Sequence, residues 1–144
     1  LYRELALLIE ELWSDPRLAV RQTCPWVVVP VPLHGKRERW RWFNQSYEIA
    51  KTLAQRSNLR CQHILRRTRN TSQQALLGRE RRLANLRGAI GLTSRERRMK
   101  TIQEKPVLLI DDVFTTGSTA EECARILKRD AGAEKVVVLT VLRG

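Results

Sequence analysis

The last forty residues constrain the fold most. Val107–Ile110 and Val136–Leu142 are short, almost wholly apolar, β-branched runs. Between them lie the segment DDVFTTG, a helical stretch from about Ser118 to Arg129, and Gly132 as a C-terminal stop. Two apolar strands joined by one helix predict a parallel pair with a right-handed crossover, because only a crossover connection can bring the chain back in the same direction. Strands without polar alternation are buried on both faces, so the class is α/β: a central parallel sheet flanked by helices.

The rest of the chain fits one such domain. At 144 residues and 42% hydrophobic content the chain suits a single core, and the reading is one domain over residues 1–144. Leu5, Leu8, Ile9 and Leu12 form one stripe of a packing helix that ends at Asp15-Pro16. PWVVVPVPL from Pro25 reads as a buried strand ending near Val31, with Pro30 and Pro32 at its end or on an edge. A second helix buries Phe43, Tyr47, Ala50 and Ala54, with Asn44 or Ser46 as its cap. Gln62–Leu65 reads as a short strand and RRTRNTSQQ (66–74) as a mobile loop without hydrophobic period. Residues 78–87 are weakly helical, Gly88–Leu92 reads as a strand, and TSRERRMKTIQEK as a charged connector.

Charge narrows the partners. The net charge is +12, and residues 34–100 carry eighteen basic against four acidic side chains, a net of +14, so the remainder is slightly acidic. A field of this kind, rich in Arg, attracts phosphate-bearing partners. The three cysteines, Cys24, Cys61 and Cys123, are far apart and form no C-x-x-C pair, which fits packing roles in a reducing, cytoplasmic compartment. His34 and His63 are isolated, and no apolar run is long enough for a membrane helix. Position 1 is Leu rather than Met, consistent with a natural piece preceding it.

The segment after the Val107–Ile110 strand carries the chemistry. Thr115, Thr116, Ser118 and Thr119 set four hydroxyls around Gly117, whose missing side chain lets backbone amides turn onto one point, and the helix that follows adds its N-terminal N–H groups. A phosphate fits that nest. Asp111 and Asp112 accept hydrogen bonds only, so they suit a neutral diol such as the 2- and 3-hydroxyls of a ribose. Together the groups describe a ribose-5-phosphate cradle. A capping box of Ser118 and Glu121 would explain those two residues but not two acids with four hydroxyls.

VLLIDDVFTTGST closely resembles the signature of type I phosphoribosyltransferases, and VPVPLHGKR, RWFNQS and TSQQALLGRERRLANLRGAI resemble the ComF subfamily, linked with competence, DNA uptake and gluconate utilisation. The resemblance runs from about Val29 to Arg143. It implies that Asp111 and Asp112 hold the ribose hydroxyls of phosphoribosyl pyrophosphate and that Thr115, Thr116, Gly117, Ser118 and Thr119 hold its 5-phosphate. Pro32, Lys36 and Arg37 would face the pyrophosphate, with Mg²⁺ bound through the substrate rather than by direct protein ligation. Arg69, Thr71, Gln74, Arg82 and Asn85 match a middle motif where such enzymes carry a mobile hood. Trp42 stands where the subfamily usually has Gly, and nothing before Cys24 supplies the four-cysteine zinc module with which family members commonly begin.

Two functions follow. One is a pentosyl-group transferase that transfers or removes a phosphoribosyl group within a DNA-uptake system, with Lys36, Arg37 and a hood Arg stabilising the departing pyrophosphate. The other is a single-stranded-DNA-binding protein that keeps the site as a non-catalytic or regulatory one. Arg39, Trp40, Arg41 and Trp42 interleave cations with stacking surfaces, as strand binding requires, and Arg66, Arg67 and Arg69 would extend the same basic track.

Overall fold

Four strands form one parallel sheet. The computed structural model describes residues 7–8, 11–18, 25–32, 45–68, 87–114 and 117–143, with the side chains of 112–114 and 141–143 outside that description. The elements are β1 (Val27–Pro30), α1 (Gln45–Arg56), β2 (Arg60–Cys61), β3 (Leu65–Arg67), β4 (Ile90–Leu92), α2 (Ser94–Met99), β5 (Pro106–Phe114), α3 (Ser118–Arg129) and β6 (Lys135–Arg143). The sheet order is β2-β1-β5-β6, and β3 and β4 pair antiparallel beside it.

Both faces of the sheet are covered, as continuous apolar strands demand. Val27, Val29, Val107 and Leu109 point to the side of α3 and the β3–β4 pair, packing with Cys123, Ile126 and Leu127. Val28, Leu108 and Ile110 point the other way, against Ala50, Leu53 and Ala54 of α1, Trp26 and Leu18. Pro30 is tolerated in an inner strand because of where its nitrogen faces. Val31 N–H donates to the Ile110 carbonyl, while the Val28 carbonyl accepts from Gln62 N–H. The Pro30 nitrogen therefore faces the β2 side, beyond the two residues that β2 pairs.

The strand from Val27, the α1 stripe of Ala50 and Ala54, the β4 strand and the β5–α3–β6 crossover stand as the pattern predicts. Tyr47 is half-buried, and its ring stacks at a tilt on His63 with centroids 4.3 Å apart. Other expectations are corrected. Ser46 lies inside α1 rather than capping it. Leu8 and Leu7 are exposed, and the N-terminal segment is anchored instead through Leu12 and Trp13, whose Nε1 donates to Ser57 Oγ at 2.8 Å. Gln62–Leu65 is not one strand: β2 ends before it, and β3 begins at its last residue. Arg66 and Arg67 belong to β3 rather than to a loop, since Leu65 enters the core and holds the register with Leu92.

The charged connector is a capped helix. Thr93 Oγ1 accepts from Glu96 N–H at the start of α2, and Lys100 closes it in the left-handed region at φ 49°. Its inward residue is a carboxylate: Glu96 is buried and accepts from Thr101 Oγ1 and from the Ile102 N–H. Phe43, Asn44, His34, Cys24 and residues 78–86 lie outside the described residues.

Candidate functional site

The site lies at the carboxyl ends of β1 and β5, where open α/β sheets bind ligands. β5 does not stop at Ile110: pairing with β6 continues through Asp111↔Thr140 and Val113↔Leu142, so DDVF is strand and the turn is shorter than the sequence suggested. Asp111 keeps the parity of Val107 and Leu109, so it faces the side covered by α3, where it is 8% exposed. Its backbone neighbour across the sheet is the end of β1, because Val31 N–H donates to Ile110 O at 2.9 Å; Pro32 follows directly.

Gly117 makes the turn into α3. Its φ of 78° and ψ of 1° lie in the left-handed region, open to glycine at little cost. The expected capping box is not placed as drawn: Gly117, not Ser118, is the N-cap, and Ser118 is the first helical residue, buried. The first-turn N–H groups, which an α-helix leaves without intrahelical acceptors, point out of this end of the helix, where its dipole adds positive potential. Thr119 stands half-buried in the same turn. This end of α3 can hold an anion, and Asp111 lies one short strand segment away.

One contributor was expected elsewhere, in a basic track for a strand. Arg67 Nε donates to the Pro32 carbonyl at 3.1 Å, bringing a guanidinium to the end of β1. Cys123 lies within electrostatic reach of both Arg67 and Asp111; burial, chiefly, pushes its thiol far up, so it packs rather than reacts. Within LRRTR nothing marks Arg67 over its neighbours; only the alternation imposed by β3 selects it.

The structure thus brings Asp111, Gly117, Ser118, Thr119 and Pro32 to one end of the sheet. Asp112 follows on β5 with its side chain outside the description. Thr115, Thr116, Lys36, Arg37, Arg39, Trp40, Arg41, Trp42, Arg69, Thr71, Gln74, Arg82 and Asn85 lie outside the described residues. Among the described residues no three His, Cys, Asp or Glu side chains could jointly hold a metal, and no helix is long and apolar enough to cross a membrane.

The fold defines the class. The chain aligns over 99% of its length with a hypoxanthine phosphoribosyltransferase from Staphylococcus aureus (TM-score 0.54, 17% identity, 64% of that chain). It aligns over the same share with a purine phosphoribosyltransferase from Pyrococcus horikoshii (TM-score 0.52, 17% identity, 80% of that chain). At such identity the likeness shows the fold, that of the type I phosphoribosyltransferases.

Sequence relatives narrow it. The chain is 36% identical over 109 residues to the DNA utilization protein YhgH of Escherichia coli K12, covering 74% of this chain and 44% of that protein. It is 29% identical over 142 residues to competence protein F of Haemophilus influenzae, covering 98% and 60%. To competence protein ComFC of Bacillus subtilis it is 32% identical over 117 residues, covering 81% and 44%. The chain belongs to this ComF family of competence and DNA-utilization proteins, on the phosphoribosyltransferase fold. It spans about half the length of these curated relatives. No family model matches it.

Proposed function

We propose that the chain binds phosphoribosyl pyrophosphate with Mg²⁺ at the carboxyl end of β5 and acts on the phosphoribosyl group in a DNA-uptake setting. One observation carries the reading: buried Asp111 lies on β5 where its apolar run gives way to acids, and a left-handed Gly117 then opens the N-terminus of α3 a few residues later. The carboxylate would accept from ribose hydroxyls, and the helix start would hold the 5-phosphate. Arg67, Lys36 and Arg37 would meet the pyrophosphate.

The donor set suits Mg²⁺ of the substrate-borne kind. This ion keeps several waters and needs one or two carboxylates when phosphates complete its shell. When bound it would supply charge neutralisation to the departing pyrophosphate. The chain's own share is positioning: Asp111 orients the sugar, the α3 turn fixes the phosphate, and cations stabilise the leaving group.

Calorimetric titration of phosphoribosyl pyrophosphate with Mg²⁺ tests this. Asp111→Asn combined with Asp112→Asn is expected to abolish most binding with an unchanged circular dichroism spectrum. Equal donor binding by both proteins would sink the assignment.

A second reading keeps the site as a regulatory one on a single-strand-binding protein. The alternation of Arg39, Trp40, Arg41 and Trp42 favours it, since aromatic faces stack bases while cations hold the backbone.

A further inference from the structure

The outer edge of β6 is bare, and its composition does nothing to protect it. β6 runs Lys135–Arg143 beside β5, with no strand on its other side among the described residues. From Val136 to Leu142 it holds no charge and no proline, two devices with which proteins blunt a sheet edge. Glu134 N–H donates to the Lys105 carbonyl at 3.0 Å, which fixes the parity of the strand. The backbone groups of Val137 and Leu139 therefore face outward, away from β5.

Both faces beside this edge are apolar. Val136 packs toward the cluster under α3, and Val138, of the same parity, is 37% exposed. On the other face Val137 and Leu139 are half-buried in one cluster with Leu12 and Trp13 of the N-terminal segment. Lys135 ties that segment to β6, donating from Nζ to the Arg17 carbonyl at 2.8 Å. Leu7 and Leu8 of the same segment are 68% and 52% exposed. Among the described residues, the large apolar side chains left in solvent thus belong to β6 or to the segment packed on it, Met99 of α2 excepted.

Charge selects the occupant. Antiparallel two-fold pairing of β6 with a second copy about Leu139 sets Lys135 opposite Arg143 of the copy at both ends, and each copy brings a net charge of +12. Parallel pairing between copies is head-to-tail and does not form a closed dimer. The same two cations favour a strand of another protein with an acid at each end. We propose that the β6 edge docks an extended segment of a partner protein, an uncharged β-branched run as long as Val136–Leu142 flanked by Asp or Glu, which joins the sheet beside β6. Main-chain bonds to Val137 and Leu139 hold it, its side chains extend the apolar strips on both faces, and its end acids meet Lys135 and Arg143. Thr140 is the register partner of Asp111, so the docked strand lies two strand spacings, roughly 10 Å, from Asp111. The partner stands beside the candidate site without occupying it.

Hydrogen exchange of the whole chain, read amide by amide by NMR, tests this with a synthetic peptide, Glu-Val-Thr-Val-Thr-Val-Thr-Val-Glu, capped at both ends. Without peptide Val137 and Leu139 exchange fast. With peptide at about ten times its dissociation constant they are expected to slow about tenfold, while Val136, Val138 and Thr140, already bonded to β5, change little. A peptide with Lys in place of each Glu is expected to bind several-fold more weakly, and Lys135→Glu to narrow that difference. Val138→Lys, a substitution on the exposed flank that keeps the circular dichroism spectrum, should remove the protection. Slow exchange at Val137 and Leu139 in the chain alone overturns the proposal, because the edge is then already filled by this chain or a copy. No slowing at the highest soluble peptide concentration, equal binding of the two peptides, or full protection in the Val138→Lys variant would each overturn it as well.

Discussion

Glu96 shows how one residue can decide a local fold against its own composition. In SRERRM no apolar side chain points inward, yet the segment is helical, because the Glu96 carboxylate takes the Thr101 hydroxyl and the buried Ile102 N–H. Removing it leaves that N–H without its acceptor. Glu96→Ala is expected to cost about 1–3 kcal/mol, read as a lower urea midpoint at constant m, with Glu96→Gln milder. An unchanged midpoint would mean that water replaces the carboxylate. The cysteines make the opposite point. Burial raises the Cys61 thiol from its ordinary 9.0 to about 11 despite the pull of Lys51, and pushes Cys123 further. Folding favours the neutral thiol, so this contribution is full below pH 9 and fades as pH climbs toward 11. Iodoacetamide mapping by mass spectrometry should therefore find Cys61 and Cys123 unmodified in the native protein and modified in urea; rapid native labelling of either would contradict it.

At the scale of elements, legibility follows from how much of each segment's conformation is dictated by its own residues. The β5–α3–β6 unit was readable because continuous apolar runs, a helix of twelve residues and Gly132 at φ 70° each point to one answer. Asp111 and Gly117 were readable for the same reason: their chemistry is written beside a strand that announces itself. β5 runs four residues further than expected because β6 pairs with it, and aspartates, poor strand formers alone, follow the ladder. β3 and α2 were missed since each takes its shape from a distant partner: Leu65 from Leu92, Glu96 from Thr101 and Ile102. Arg67 reads in the sequence only as one cation of a basic track; its place at the end of β1 needs β3, which sets its direction toward Pro32, thirty-five positions away. The capping box failed because Gly117 takes the cap position one residue early.

Across the whole molecule, the sheet sets a gradient of order between its centre and its outer strand. β1 and β5 are each paired on both sides, and Val28, Val29 and Val107–Ile110 are fully buried. Their amides open only with the entire domain, so native-state hydrogen exchange should report the global unfolding free energy there. β6 has β5 on one side and, among the described residues, no strand on the other. Its parity is fixed by Glu134 N–H donating to the Lys105 carbonyl at 3.0 Å, so the amides of Val136, Val138 and Thr140 face β5 while those of Val137 and Leu139 face away. Within one strand, protection is expected to alternate: slow exchange at Val136, Val138 and Thr140, fast at Val137 and Leu139. Exposed β-branched edges invite pairing, so uniform slow exchange along Val136–Thr140 would contradict the open edge. It would mean that another strand, from this chain or a second copy, completes the sheet beside β6, and a dilution series would separate the two, because only pairing between copies loosens as the protein is diluted.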